Sequence, residues 1–428
     1  MYHNRDRIRI IFIIPVIVLL SAGVIHAQTQ ILAMGFEHAA SFVAVNPATN
    51  LIYVPEGHFF DARVVVIDGN PASPTFHQKI ALIDLPDDCS PVEIAVNPVT
   101  NRVYIADDVG NRVLVVDTAT NSFVGSMTVG THPRRLAVNS ITNRIYVPVE
   151  VDPITGHIAV IDGNNNVVVA SIPLANPNHF PFKVAVNETT NRVYVTSLQG
   201  SITVVDGAND SIITTIPGGS LPFGVAVNPV TDRIYVNNLG DSNLSVIRGS
   251  TNTIEANIFI GLGSNVVAAN RVTGRIYAAS TGNELSVVDG RLTSPTYNTV
   301  LSSVGSFSGS NDVAVNPNTN LIYLMSFGLL KIFDDSISSP TNAISSLINW
   351  VTSLNLAQGT TNSLTSKLSN ALNALQSPNG SDVNTACNML GAFINEAQAQ
   401  EQKQQLTSTE VRELTTEAEL IKIALGCE

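Results

Sequence analysis

The sequence predicts an all-β seven-bladed propeller of four-stranded antiparallel blades, its ring closed by the N-terminal strand, followed by a small all-α helical bundle. Three observations predict it. One unit recurs seven times, each copy carries strand-length apolar runs broken by turn residues, and beyond residue 338 the apolar spacing becomes helical.

The first signature of the unit is a short apolar run, Asn, two variable residues, Thr, a polar residue or Gly, a long side chain, Ile or Val, then Tyr. Its copies are Val43 to Tyr53, Ile94 to Tyr104, Leu136 to Tyr146, Val184 to Tyr194, Val225 to Tyr235, Val267 to Tyr277 and Val313 to Tyr323. Successive Tyr residues lie 51, 42, 48, 41, 42 and 46 positions apart, the period of a four-stranded blade. After each Tyr comes a β-branched run closing on a polar residue, usually Asp then Gly, as in Val64 to Asp68 or Ile202 to Asp206. A looser outer strand follows, as in Asn166 to Leu174.

A four-stranded meander with two apolar faces cannot bury both alone, so the copies must stack around an axis. No outer strand follows Asp334 in the seventh copy, whereas Gln30 to Gly35, ahead of the first copy, has the right apolar character. This segment is expected to complete the last blade and hide the open edge.

From residue 339 onward, Ile344, Leu347, Ile348, Val351 and Leu354 fall at helical spacing. Three further stretches follow, around Leu364 to Leu375, Val383 to Ile394 and Val411 to Leu425, with Thr407 and Glu410 forming a capping box before the last. Four helices are implied. Of the three cysteines, Cys387 and Cys427 share this module and are the expected pair, leaving Cys89 in the blades.

Residues 1–27 read as a secretory signal: Arg5, Arg7 and Arg9 precede an apolar stretch from Ile10 to Leu20, and small residues lead to Ala27. The domain plan is thus a signal at 1–27, the propeller at 28–338 and the helical module at 339–428. Elsewhere no apolar run reaches spanning length, so no membrane span is expected after cleavage. Removing the signal takes away three Arg and one Asp, which moves the formal charge from −12 to −14. An acidic chain with scattered basic residues lacks the electrostatic footprint of a nucleic-acid binder. The expected location is secreted or periplasmic, with cell-surface association compatible.

Tyr194-Val195-Thr196-Ser197 and Tyr235-Val236-Asn237-Asn238 give the repeat its character, and over residues 29–335 the chain resembles the YVTN-type propeller repeat of bacterial and archaeal surface or periplasmic proteins. The resemblance implies a binding scaffold and specifies no ligand. Residues Asn362 to Leu375 and Met389 to Gln400 resemble FIMAH, a helical module appended to secreted bacterial proteins. That resemblance implies an accessory role in attachment or partner contact.

Residues present in every blade serve architecture, because a unique site needs one copy of its parts. Asn46, Asn97, Asn139, Asn187, Asn228, Asn270 and Asn316 are therefore expected to hold the turn between the first two strands of each blade. Function is sought where the repeats differ. Loops entering the first strand and loops joining the second to the third share one face, and in blades one to four they carry His38, Asp87, Asp88, Glu93, His132, Arg134, Arg135, His179, Lys183, Glu56, His58, Asp61, Asp107, Asp108, Glu150, Asp152 and His157. The same loops in blades five to seven are mostly Gly, Ser, Asn and Leu, with Asp312 the exception.

Glu93, Arg135, Lys183 and Asp312 each precede the apolar run of an innermost strand and are expected to ring the channel mouth as ligand-binding residues, against the alternative of salt bridges between blades. His38, His132 and His179 are candidate metal ligands, for which zinc or calcium would be the ion, against the alternative of surface or interblade histidines. Asp87-Asp88 and Asp107-Asp108 suit calcium chemically but read first as solvated loop acids. No nucleophile elbow, phosphate loop or His-Glu-x-x-His motif is present. The expected function is recognition of a protein, glycan or small polar ligand through the charged face. The alternative is an exported metal-dependent hydrolase, lactonase-like, using the same mouth.

Overall fold

The computed structural model describes residues 29–425, apart from 153–154, 175–179, 281–284, 293, 295, 305–308, 335–339, 355 and 377–381, together with residue 427. Residues 1–27, expected to be a signal, and His179 lie outside the described residues. The chain divides into two compact units, one of strands and one of helices.

The strand unit is seven four-stranded antiparallel sheets, each a simple meander with its first strand innermost. In the first blade the strands are Ala44–Asn46, Leu51–Glu56, Arg63–Asp68 and Lys79–Asp84. The seventh blade takes three strands from Ser310–Asn316, Leu321–Ser326 and Leu329–Asp334, and its outer strand from Thr29–Gly35. Thr29 pairs with Asp334 and Gly35 with Leu329. The ring is therefore closed by the N-terminal strand, which supplies the outer strand that the seventh copy lacks.

Each apolar cluster lies between neighbouring blades rather than within one. Tyr53 of the first blade packs with Ile94, Val103 and Leu114 of the second, and Tyr323 of the seventh with Val54 and Val65 of the first. All seven repeat tyrosines are fully buried, because a flat ring fills the wedge between two twisted sheets. This packing explains Gly after the third-strand Asp. A Cβ on Gly163 would stand 2.8 Å from the Tyr104 hydroxyl of the preceding blade, and one on Gly69 would stand 2.8 Å from that of Tyr323. The glycine is required by close approach as well as by the turn.

The repeat asparagines hold their turns and also do something the pattern does not reveal. Asn97 Oδ1 accepts from the Val99 amide at 3.0 Å, while its Nδ2 donates to Asn143 Oδ1 of the next blade at 2.8 Å. The bond recurs from Asn139 to Asn191, Asn187 to Asp232, Asn270 to Asn320 and Asn316 to Asn50. Every acceptor sits in the left-handed backbone region, where Asn and Asp are the best-tolerated residues with a side chain. One position thus serves a hairpin turn and an interblade bolt together.

The helical unit holds α1 (Pro340–Ser353), α2 (Gln358–Leu375), α3 (Val383–Gln402) and α4 (Ser408–Leu425). Ile344, Leu347, Leu368, Leu390, Phe393 and Leu414 form one core. The capping box forms as spaced, with Thr407 N donating to Glu410 Oε2 at 2.7 Å and Glu410 N to Thr407 Oγ1 at 3.2 Å. Cys387 and Cys427 are disulfide-bonded, tying α3 to the chain beyond α4, and Cys89 is a buried free thiol. Among the described residues no helix is long and apolar enough to cross a membrane.

Candidate recognition face

The innermost strands decide which side chains reach the axis. In the second blade the register slips between Pro91 and Glu93, and in the seventh between Ser310 and Asp312. Such a bulge inserts one extra residue and re-aims its neighbour. Glu93 and Asp312 each sit at such an irregularity, which recurs at the equivalent place in the fourth, fifth and sixth blades.

Glu93, Arg135, Lys183 and Asp312 meet. Lys183 Nζ lies 3.4 Å from Glu93 Oε2 and 3.3 Å from Asp312 Oδ1, and Arg135 Nε lies 3.5 Å from Glu93 Oε2. Asp312 Oδ2 also accepts from the Val43 amide at 3.1 Å, which links the last blade to the first. Arg135 donates to the Val92 carbonyl oxygen, and its guanidinium stacks over Phe42 at 4.5 Å and Phe182 at 5.3 Å. The side chains of all four charged residues are largely withdrawn from water.

Electrostatics follow from that withdrawal. Burial drives the Glu93 carboxyl above its ordinary range, with Lys183 and Arg135 pulling the other way. Burial also works to lower Lys183, but Asp312 and Glu93 outweigh it and the ammonium is held more tightly than usual. Two carboxylates and two cations in contact form a self-compensated cluster across four blades. The equivalent axial positions in blades five and six are Gly224 and Val266, which contribute no charge.

Around this floor the loops of the first three blades are pinned by arginines. Arg63 Nε donates to buried Glu56 at 2.7 Å while its Nη2 donates to Glu37 at 2.6 Å. Arg112 repeats the device in the second blade, donating to buried Asp107 at 2.8 Å and to exposed Asp88. Arg134 does the same to Glu150 at 2.7 Å. Asp107 is thus a fully buried anchor, accepting also from the Ser90 amide at 2.8 Å, and departs from the solvated loop acid that its sequence context suggests. The clue was available in the sequence: blades one and two share an acid three residues after the Tyr and an Arg opening the third strand.

The histidines are not brought together. His38 Nδ1 is 3.2 Å from Asp61, and His132 Nδ1 is 3.0 Å from Asp108, each with an acid of its own. Among the described residues no three His, Cys, Asp or Glu side chains are grouped as a metal site. His157 Nε2 approaches the Val129 carbonyl oxygen at 3.3 Å and serves packing between blades.

Sequence reasoning missed Phe42 and Phe182, whose rings both lie against the Arg135 guanidinium, because an aromatic before an apolar run reads as more of the run. It also missed the exposed pair on the loop between the second and third strands of blade one. Phe60 is 88% exposed and Phe59 49%, and Phe59 adopts a left-handed backbone at φ 57°. No protein-family model matches this chain, and no curated protein matches its sequence.

Proposed function

We propose that this chain is an exported propeller that acts as a binding scaffold, recognising its ligand through the charged loop face of blades one to four. One observation carries the reading. The seven blades share the same tyrosines and asparagines, and five of their junctions share the same interblade bond, whereas the departures from the repeat gather on one face and are built into pinned loops. A scaffold needs uniformity in its walls and individuality where it meets a partner.

In this reading Glu93, Arg135, Lys183 and Asp312 make the floor of the site, and the loops around them make the first contacts. Compensated charge suits a floor, because it offers both signs without drawing bulk water or stray ions. The Cys387–Cys427 disulfide supports an oxidising compartment, in keeping with the basic and apolar leader. The YVTN-type and FIMAH-type resemblances belong to the same proposal and carry the expectation of a surface or periplasmic setting.

The test is site-specific photocrosslinking in cells that make the protein. A photoreactive residue in place of exposed Asp87 should give a discrete adduct, while one in place of exposed Val230, on the opposite turn face, should give none. Adducts from position 230 alone, or from neither position, would remove the recognition face.

A further inference from the structure

We infer that the partner seated on the loops of blades one and two is a basic polypeptide segment carrying an apolar side chain; this rests on the binding reading above and names its ligand class.

The loops form one surface because they are hydrogen-bonded to each other. Gly57 N donates to the Ala39 carbonyl oxygen at 3.0 Å, Phe59 N to that of Cys89 at 2.8 Å, and Asp108 N to that of Ser90 at 3.2 Å. With Arg63 and Arg112 pinning the same segments, the surface is held before any partner arrives. A preorganised surface does not spend binding energy on ordering its own loops.

Its exposed charge is mostly negative, with Lys79 the cation at the rim beside Glu37. Glu37, Asp61, Asp87 and Asp88 stand exposed, with Asp108 half-buried beside them. The guanidiniums of these loops, Arg63 and Arg112, are already shared between two carboxylates each and leave no net positive charge to offer. Arg63 holds Glu37 below the usual carboxylate range, and Arg112 does so for Asp88, so both remain ionised at neutral pH. An anionic ligand is repelled here, and a neutral glycan can donate hydroxyls to the carboxylates but gains no net Coulombic attraction from them. A cationic partner gains from all of them.

The apolar half of the match comes from Phe59, Phe60 and Val109, all exposed on these pinned loops. Glu37 further borders a groove of about 250 Å3 lined by Lys79, Ile80 and Leu82. An exposed aromatic on a loop that also carries Asp61, and that is hydrogen-bonded to the loop of Asp87 and Asp88, can anchor one apolar side chain while flanking cations meet the acids. Phe60 is the anchor in this assignment.

The experiment uses the full mature chain and short synthetic peptides of alternating Lys and Leu, Glu and Leu, or Lys and Ser, read by titration calorimetry at low and physiological salt. The Lys-Leu peptide should bind, its affinity falling as salt rises, and neither control should match it. Phe60→Ser should weaken binding about tenfold without altering the melting transition, because the ring makes few contacts of its own. Asp61→Asn with Asp87→Asn should weaken it by a similar factor and flatten the salt dependence, while Val230→Ser should leave it unchanged. Equal affinity for the Glu-Leu or Lys-Ser peptide, or an unaffected Phe60→Ser, would overturn the inference. Should crosslinking at position 87 succeed while the Lys-Leu peptide fails, the recognition face stands and the partner class falls.

Discussion

Asn316 of the seventh blade donates its side-chain amide to Asn50 of the first at 2.9 Å, closing the ring with the bond that Asn270 makes to Asn320 one blade earlier. The seam between the two ends of the chain is therefore bolted like an ordinary blade junction. The bond is absent at two junctions: Asn228 faces a blade whose corresponding residue is Gly274, and Asn46 leaves its Nδ2 without a partner although Asn101 holds the corresponding position.

The asymmetry sets the first expectation. Asn316→Ala removes the interblade bond, strands a buried acceptor and loses the turn bond to Asn318, so it should cost about 2–3 kcal/mol. Asn228→Ala loses the turn bonds alone and should cost less by at least ~1 kcal/mol. Urea denaturation of both variants decides it, and equal losses would mean the bolt is energetically idle.

Removing residues 28–36 takes away the outer strand that pairs with Leu329–Asp334, and with it Leu32, Met34 and Phe36 from the cluster between blades seven and one. The truncated chain should yield no soluble protein with a cooperative thermal transition. An intact transition in that chain contradicts closure by this strand.

Lys183→Met should destabilise the fold by about 3–5 kcal/mol at neutral pH, because Glu93 and Asp312 lose the cation between them. The pH dependence has a definite sign. Burial raises the folded-state pKa of Glu93, so its contribution is greatest below the unfolded value of 4.5 and is lost as pH rises through the folded value. Loss of Lys183 enlarges that rise, so the variant should recover part of its stability on acidification towards pH 5. Melting curves over that range check it; a deficit independent of pH would mean Glu93 does not take up the proton.

Breaking the disulfide with Cys387→Ser and Cys427→Ser releases a closure spanning 40 positions and should cost the helical unit about 2–4 kcal/mol. The strand unit has its own cores and should melt unchanged. Separate helical and strand signals in circular dichroism resolve the two, and a shift confined to the strand signal would contradict the division.

The repeat, the four strands of each blade, the helical module and the cysteine pair were all legible in one dimension. Each depends on periodicity or on segments that must find a partner somewhere, as Gln30 to Gly35 must once Asp334 has no outer strand after it. The convergence of Glu93, Arg135, Lys183 and Asp312 was legible for the same reason, since equivalent positions in a closed ring face one axis. Salt bridges between blades stood as the alternative reading of the same four residues, and the pairs form; the contacts of Arg135 with Phe42 and Phe182 were not legible, because they depend on side-chain reach across blades. The histidines show the converse: shared loop positions placed His38 and His132 on one face, yet each ends beside its own aspartate.

Sequence by itself determined the number of sheets, their order and where the chain closes, because hydrophobic alternation and turn chemistry act between near neighbours and repeat seven times. Tertiary structure decided what each polar residue is for. Whether Asn97 serves its own turn or the next blade, or Asp107 meets water or Arg112, is fixed by distances of about 3 Å between residues remote or unordered in sequence, and no local pattern encodes such distances.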